Sequence, residues 1–302
     1  MKNLTASISL VVALCATVTQ SKAVTSALLH TPTISGSQIV FVYADELWTV
    51  SRQGGAAHLL TSGPGVKSSP ALSPDGKCLA FSLDYERNVD VYVMPAEGGI
   101  AKRLTHHPAI DDVVGWTPDS KRILFRSTRN SYSRFNRLFT VALDGGLPIE
   151  VPLPMAESGS YSGDGSHLAY VPFTNARRLN GIAWRRYRGG NGARVWIANL
   201  KDSSITKLPR TDSQDWNPMW VGSKIYFLSD RHDGIASLYE YNTGSNQLKE
   251  CIHPQRDIKN ASATNAAIVY EQFGSLARVY QPQAEKTLPS RFWRGFERLQ
   301  DV

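Results

Sequence analysis

Repeated four-stranded antiparallel units in an all-β chain are what three features of this 302-residue sequence predict. First, an aromatic residue inside or ending an apolar run recurs as Phe41, Phe81, Phe125, Tyr170, Phe227 and Tyr270, at separations of 40, 44, 45, 57 and 43 residues. Second, five of these runs are followed by another: Leu47-Trp48-Thr49-Val50, Val91-Tyr92-Val93, Leu138-Phe139-Thr140-Val141, Val195-Trp196-Ile197 and Leu238-Tyr239-Glu240-Tyr241. Third, the turn Ser73-Pro74-Asp75-Gly76-Lys77 has counterparts at Asp119-Ser120-Lys121 and Asp164-Gly165-Ser166. A period of roughly 40–45 residues with four strands per repeat is the signature of a β-propeller blade. Six copies, the last the weakest, make the predicted fold a six-bladed β-propeller of four-stranded antiparallel blades, with repeats of the TolB/WD40-like kind.

The clearest unit spans Ser73 to Thr105. Pro74 pre-sets a turn dihedral, Asp75 can bond its own backbone, and Gly76 supplies a positive φ, so Pro-Asp-Gly makes a tight turn. Cys78-Leu79-Ala80-Phe81 then reads as a buried strand, Val91 to Val93 as the next, and Gly98-Gly99 as the hairpin into the outer strand. Outer strands are expected to end at Leu59-Leu60-Thr61, Arg103-Leu104-Thr105, Ile149-Glu150-Val151 and Thr206-Lys207-Leu208. The expected blades cover about 32–61, 70–105, 113–153, 159–209, 216–251 and 258–288 of one domain, 30–288, with an irregular tail over 289–302. Pro289 stops the outer strand of blade 6 early, so the junction of blades 1 and 6 is expected to be the weak seam of the ring.

Residues 1–23 read as a secretory signal: Lys2 gives a positive start, Leu4 to Val18 is largely apolar, and Ser21-Lys22-Ala23 fits a small-x-small cleavage pattern. That run is too short and too broken by Ser and Thr for a stable membrane span. Export to the periplasm or the exterior is therefore expected. Cys78 opens a core strand and Cys251 closes a distant one, which argues against a bridge.

The formal charge is +7 and the pI is about 9.3. The excess is uneven: Arg177, Arg178, Arg185, Arg186, Arg188 and Arg194 fall within 18 residues, beside Trp184 and Tyr187. They lie on the insertion that stretches the spacing between Tyr170 and Phe227 to 57, and such insertions map to loops on one rim. Arginine among aromatics suits phosphates, acidic lipids or carboxylates. An exported chain meets little nucleic acid, so none is expected. A solvated basic hairpin and a surface for peptide carboxylates both remain open, and the second makes Arg177, Arg178, Trp184, Arg185, Arg186, Tyr187 and Arg188 the candidate binding residues.

Catalytic chemistry is not evident. The chain has no Gly-x-Ser-x-Gly elbow, no phosphate loop, and no His-Glu-x-x-His or paired Cys-x-x-Cys. His106-His107 with Asp111-Asp112 comes nearest to a metal cluster, but neighbouring histidines in extended chain point to opposite sides. His232, in Asp230-Arg231-His232-Asp233-Gly234, reads as part of a turn that accounts for all five residues. No catalytic residue, metal or cofactor is expected.

The blade turns, Ile39-Val40-Phe41 with Asp45-Glu46-Leu47-Trp48, Ile268-Val269-Tyr270-Glu271, and above all Trp184-Arg185-Arg186-Tyr187-Arg188-Gly189-Gly190 resemble the N-terminal six-bladed propeller of tricorn-type serine peptidases. The resemblance covers about residues 30 to 288. It implies that full family members continue with a seven-bladed propeller, a PDZ-like domain and a serine protease core. This sequence ends at Val302, so no catalytic residue of that core can be carried over, and Arg291 to Arg298 do not continue the family pattern. What the resemblance implies here is a non-catalytic accessory propeller: a gate, exit channel or assembly surface meeting peptides, other parts of a peptidase, or copies of itself. The alternative expectation is an exported TolB-like module that docks a protein.

Overall fold

The computed structural model describes residues 28–132, 135–173, 187–210, 212–280 and 284–286. The expected signal over 1–23 and the tail over 289–302 lie outside the described residues, as do Arg177, Arg178, Trp184, Arg185 and Arg186.

Six four-stranded sheets, each taking its strands in chain order, make the six blades. Blade 1 is β1 (His30–Ile34), β2 (Gln38–Tyr43), β3 (Glu46–Ser51) and β4 (His58–Leu59). Blade 2 is β5 (Val66–Leu72), β6 (Cys78–Tyr85), β7 (Asn88–Pro95) and β8 (Lys102–Arg103). Blade 3 is β9 (Asp111–Trp116), β10 (Arg122–Ser127), β11 (Arg137–Ala142) and β12 (Gly145–Glu150). Blade 4 is β13 (Ser158–Tyr161), β14 (His167–Val171), β15 (Trp196–Asn199) and β16 (Ile205–Lys207). Blade 5 is β17 (Asp215–Val221), β18 (Lys224–Ser229), β19 (Ser237–Asn242) and β20 (Leu248–Ile252). Blade 6 is β21 (Ala261–Ala263), β22 (Ala267–Gln272), β23 (Ser275–Tyr280) and β24 (Ala284–Lys286).

Strand periodicity explains why the second strands are apolar at nearly every position. Side chains alternate between faces, and a blade is covered on both. In β2, Ile39 and Phe41 pack towards blade 6, while Val40 and Val42 pack towards blade 2. In β10, Ile123 and Phe125 face blade 2 and Leu124 faces blade 4. The six hydrophobic clusters among the described residues are thus the six junctions between blades. Every recurrent aromatic faces the preceding blade. In blades 2, 3 and 5 it also stacks on an aromatic of the third strand: Phe81 on Tyr92 at 5.8 Å, Phe125 on Phe139 at 5.7 Å and Phe227 on Tyr239 at 6.1 Å between centroids. In blade 6 the partner opposite Tyr270 is Ala277, which is why that copy is the faintest in the sequence.

Hydrogen bonds add a second tie across the junctions. Thr33 Oγ1 accepts from the Leu72 amide, Trp116 Nε1 donates to the Ala71 carbonyl, and Ser160 Oγ accepts from the Trp220 amide. The Asn217 side chain donates to the Ala261 carbonyl and accepts from its amide, both at 3.0 Å. The ring closes through Glu271, a buried carboxylate in β22 that accepts from the Thr31 amide at 3.1 Å and from Asn260 Nδ2 at 2.7 Å.

The three recurrent turns are superimposable in their bonding. Ser73, Thr117 and Ser162 each donate a hydroxyl to the aspartate two residues on, and that aspartate accepts the amide of Lys77, Lys121 or Ser166 at 3.1 Å. These bonds to the ionised form hold Asp75 and Asp119 below the ordinary carboxylate range and bring Asp164 down to about 2. Outer strands are shorter than expected in blades 1 and 2. The chain peels away, and a threonine hydroxyl takes over: Thr61 accepts from the Leu47 amide and donates to Glu46, and Thr105 does the same for Val91 and Asp90.

Candidate functional site

Antiparallel order sorts the loops between two rims. The turns joining first to second strands, with Asp75, Asp119 and Asp164, share one rim. The loops joining second to third strands share the other with the connections between blades. The β14–β15 connection, whose sequence carries the arginine-rich insertion, leaves β14 and enters β15 on this second rim, here termed the insertion rim.

Between the rims runs a cavity of about 1220 Å³, lined by the first strands of all six blades. Its wall is irregular at β-bulges, where β1, β5 and β17 slip register against their neighbours. At each bulge a residue before proline takes a left-handed conformation: Thr31 (φ 46°), Ser69 (φ 48°) and Asn217 (φ 55°). Positive φ is costly for a β-branched residue such as Thr31, and bulges and strained backbone collect where a protein presents groups to something else. Trp116, Trp216 and Trp220 also line the wall.

At the insertion-rim end of this channel sits a charged cluster. Arg126 Nη2 donates to Asp112 Oδ2 at 2.5 Å, and its Nη1 donates to the Glu157 carbonyl at 3.3 Å and lies 3.6 Å from Glu157 Oε2. Asn136 donates to that carboxylate at 2.8 Å. Burial alone would raise Asp112, but the Arg126 guanidinium and hydroxyl donors outweigh it, and the carboxyl is held below its usual range.

Two further pairs repeat one arrangement. Asp111 pairs with Arg129, which stacks over Phe125 and Phe139. Asp215 accepts from Arg231 at 2.9 Å and from Ser229 at 2.6 Å, and Arg231 stacks over Phe227 and Tyr239. The signal for both is Phe-x-Ser-x-Arg, at Phe125 to Arg129 and Phe227 to Arg231, which sequence reasoning passed over. Asp111 differs from Asp112 in direction: burial pushes its carboxyl up, against the pull of Ser127 and Arg129.

Of the candidate binding residues, Tyr187 and Arg188 are described. Arg188 is half-buried and committed to Asp230, with Nη1 to Oδ2 at 2.8 Å, so it anchors the base of the insertion. His106-His107 and Asp111-Asp112 do not converge, since both aspartates are engaged by arginines. The reading of Asp230 to Gly234 as a self-sufficient turn is corrected. Asp230 holds Arg188, Arg231 holds Asp215, and His232 bonds Glu250 at 3.1 Å. Among the described residues, no helix is long and apolar enough to cross a membrane.

Six four-stranded blades around a lined channel define the class of the chain as a β-propeller module. Residues 26–285 match the tricorn protease N-terminal beta propeller domain, and the chain belongs to that family. It is 33% identical over 263 residues to tricorn protease homolog 1 of Streptomyces coelicolor, covering 83% of this chain and 23% of the relative. The crystal structure of the tricorn protease superposes with a TM-score of 0.73 at 23% identity, over 87% of this chain and 27% of that one. TolB from Acinetobacter baumannii shares the fold with a TM-score of 0.57 at 20% identity, over 74% of this chain and 53% of that one. The chain spans about a quarter of the length of the curated relatives it matches first.

Proposed function

We propose that this chain is a non-catalytic, peptide-handling propeller that serves a tricorn-like peptidase. Short peptides pass through or lodge in the axial channel, and the insertion rim docks their acidic groups or the rest of the assembly. The observation that carries this reading is the channel itself, which is large enough for a short peptide and walled by strained backbone and tryptophans. Arg177, Arg178, Arg185 and Arg186 supply guanidinium groups for carboxylates, while Arg188, through Asp230, holds the segment in place. Export is part of the proposal, and the family match beginning at residue 26, just after the signal-like stretch, supports it.

Titrating short acidic peptides against the chain, with tryptophan fluorescence as the readout, tests the reading. Gly115 lines the channel and a Cβ there would meet nothing within 4 Å, so the backbone accepts a side chain at this position and Gly115→Trp is expected to narrow the channel. The proposal expects saturable quenching in the wild type and at least about tenfold weaker binding in Gly115→Trp. Equal affinity in both would reject the channel, and no binding in either would reject peptide handling.

A second reading, a TolB-like module that docks a protein, is favoured by one feature. Ile100, Leu147 and Ile149 are exposed on the outer parts of blades 2 and 3. Co-purification recovering a protein at this face, with no peptide affinity, would select it.

A further inference from the structure

The outer corner of blade 5 on the insertion rim gathers donors that the channel does not use. His232 and Asp233 come from the β18–β19 loop, Glu250 from β20, and His253 directly follows the end of that strand. Glu250 receives both rings, with Oε2 3.1 Å from His232 Nδ1 and Oε1 2.9 Å from His253 Nδ1. His253 Nε2 lies 3.4 Å from Asp233 Oδ2, and the two imidazole centroids are 4.6 Å apart. One ligand atom from each of His232, Glu250 and His253 falls within 4.8 Å of the others.

We propose that His232, Glu250 and His253 form a binding site for a divalent transition-metal ion, zinc by donor chemistry, with Asp233 on the far nitrogen of His253 as the outer carboxylate that orients the ring. Imidazole and carboxylate together suit zinc, with metal–ligand distances of about 2.0–2.2 Å. Neighbouring ligands of a tetrahedral ion are then about 3.4 Å apart, close to the spacings between Glu250 and the two rings. The remaining closure falls to His232, whose side chain is 61% exposed on its loop and can turn. Two imidazoles and one carboxylate are the three protein ligands of an open zinc site, whose fourth position a water can take. Glu250 lies opposite Tyr239 in the β19–β20 ladder, so a paired strand position fixes the ligating carboxylate. Arg231, the nearest cation stacked on Tyr239, is already neutralised by Asp215. A bound ion would pin the outer strand of blade 5 to the insertion rim, beside the Arg188–Asp230 anchor.

The test uses the 302-residue chain with Zn²⁺ followed by calorimetry and Co²⁺ followed by visible absorption. The expected result is one Zn²⁺ per chain and Co²⁺ bands of a four-coordinate N/O site. His253→Ala and Glu250→Gln should each weaken Zn²⁺ at least about 100-fold with unchanged circular dichroism. His232→Ala, on the exposed loop, gives the same reading should His253→Ala fail to fold. No Zn²⁺ binding in the wild type would reduce the cluster to hydrogen bonds alone, and binding retained in the substituted chains would place the ion at other histidines. Either overturns the proposal.

Discussion

On the turn rim, Asp75, Asp119 and Asp164 hold three copies of one loop, each carboxylate taking the same two local hydrogen bonds. On the insertion rim, Asp111, Asp112, Asp215 and Asp230 instead hold Arg129, Arg126, Arg231 and Arg188, reaching across strands and, for Arg188, between blades. The residue type is the same, but the work differs. Where copies agree, the aspartate shapes a turn that every blade needs. Where they diverge, it fixes long cationic side chains that a blade does not need in order to fold. Loops on a rigid scaffold are where function accumulates, and the diverged rim is the one that bears the insertion and the charged mouth of the channel.

Four substitutions can break or sharpen this contrast. The largest effect belongs to Asp215→Ala, which strands the nearly buried Arg231 without a counter-charge. Losing one partner of such a pair costs about 3–5 kcal/mol. Urea unfolding should show it, and a loss below about 1 kcal/mol would make the insertion-rim pairs no more than surface decoration. Next comes Glu271→Ala, which orphans the Thr31 amide and Asn260 at the closing seam. A loss of about 2–3 kcal/mol is expected, with hydrogen exchange rising in β1 and β22 before β9 and β10. Equal protection at all junctions would contradict the seam as the first to open. Asp75→Ala should cost only about 1 kcal/mol, because its bonds are local and exposed.

The smallest effect is a pH dependence at Asp164. Its folded pKa of about 2 lies below the ordinary aspartate value of about 3.9, so the folded chain holds this proton less tightly than the unfolded one. The stabilisation is complete above about pH 4 and is lost as the pH falls towards 2. The difference in Tm between wild type and Asp164→Asn should therefore shrink over that interval. Asp111 runs the other way. With its carboxyl raised by burial, its contribution is full below the ordinary aspartate value and is lost as the pH climbs from there through the raised folded value.

Why the fold was readable and the site was not follows from these residues. Phe41, Phe81, Phe125 and Phe227 recur because every blade must cover two faces, and strand and turn spacing are local properties that a linear pattern preserves. Ala277 opposite Tyr270 shows the converse, since a copy that packs less leaves a fainter trace. The cluster of Arg126, Asp112 and Glu157 was not legible, because ring closure and strand register bring together residues that no spacing rule connects. The Phe-x-Ser-x-Arg repeat was legible in principle, but two copies in six blades do not stand out beside the stronger turn signal. Glu271 figured in the sequence only as the last residue of Ile268-Val269-Tyr270-Glu271, and only the circular fold gives it the Thr31 amide.

The most direct test of the account is hydrogen exchange on the chain with and without a saturating mixture of short acidic peptides. Binding at the channel and insertion rim predicts added protection in β1, β5, β9, β13, β17 and β21 and over residues 187–194, with the Ser73–Cys78 turn unchanged. Protection confined to the turn rim, or none anywhere, would contradict it.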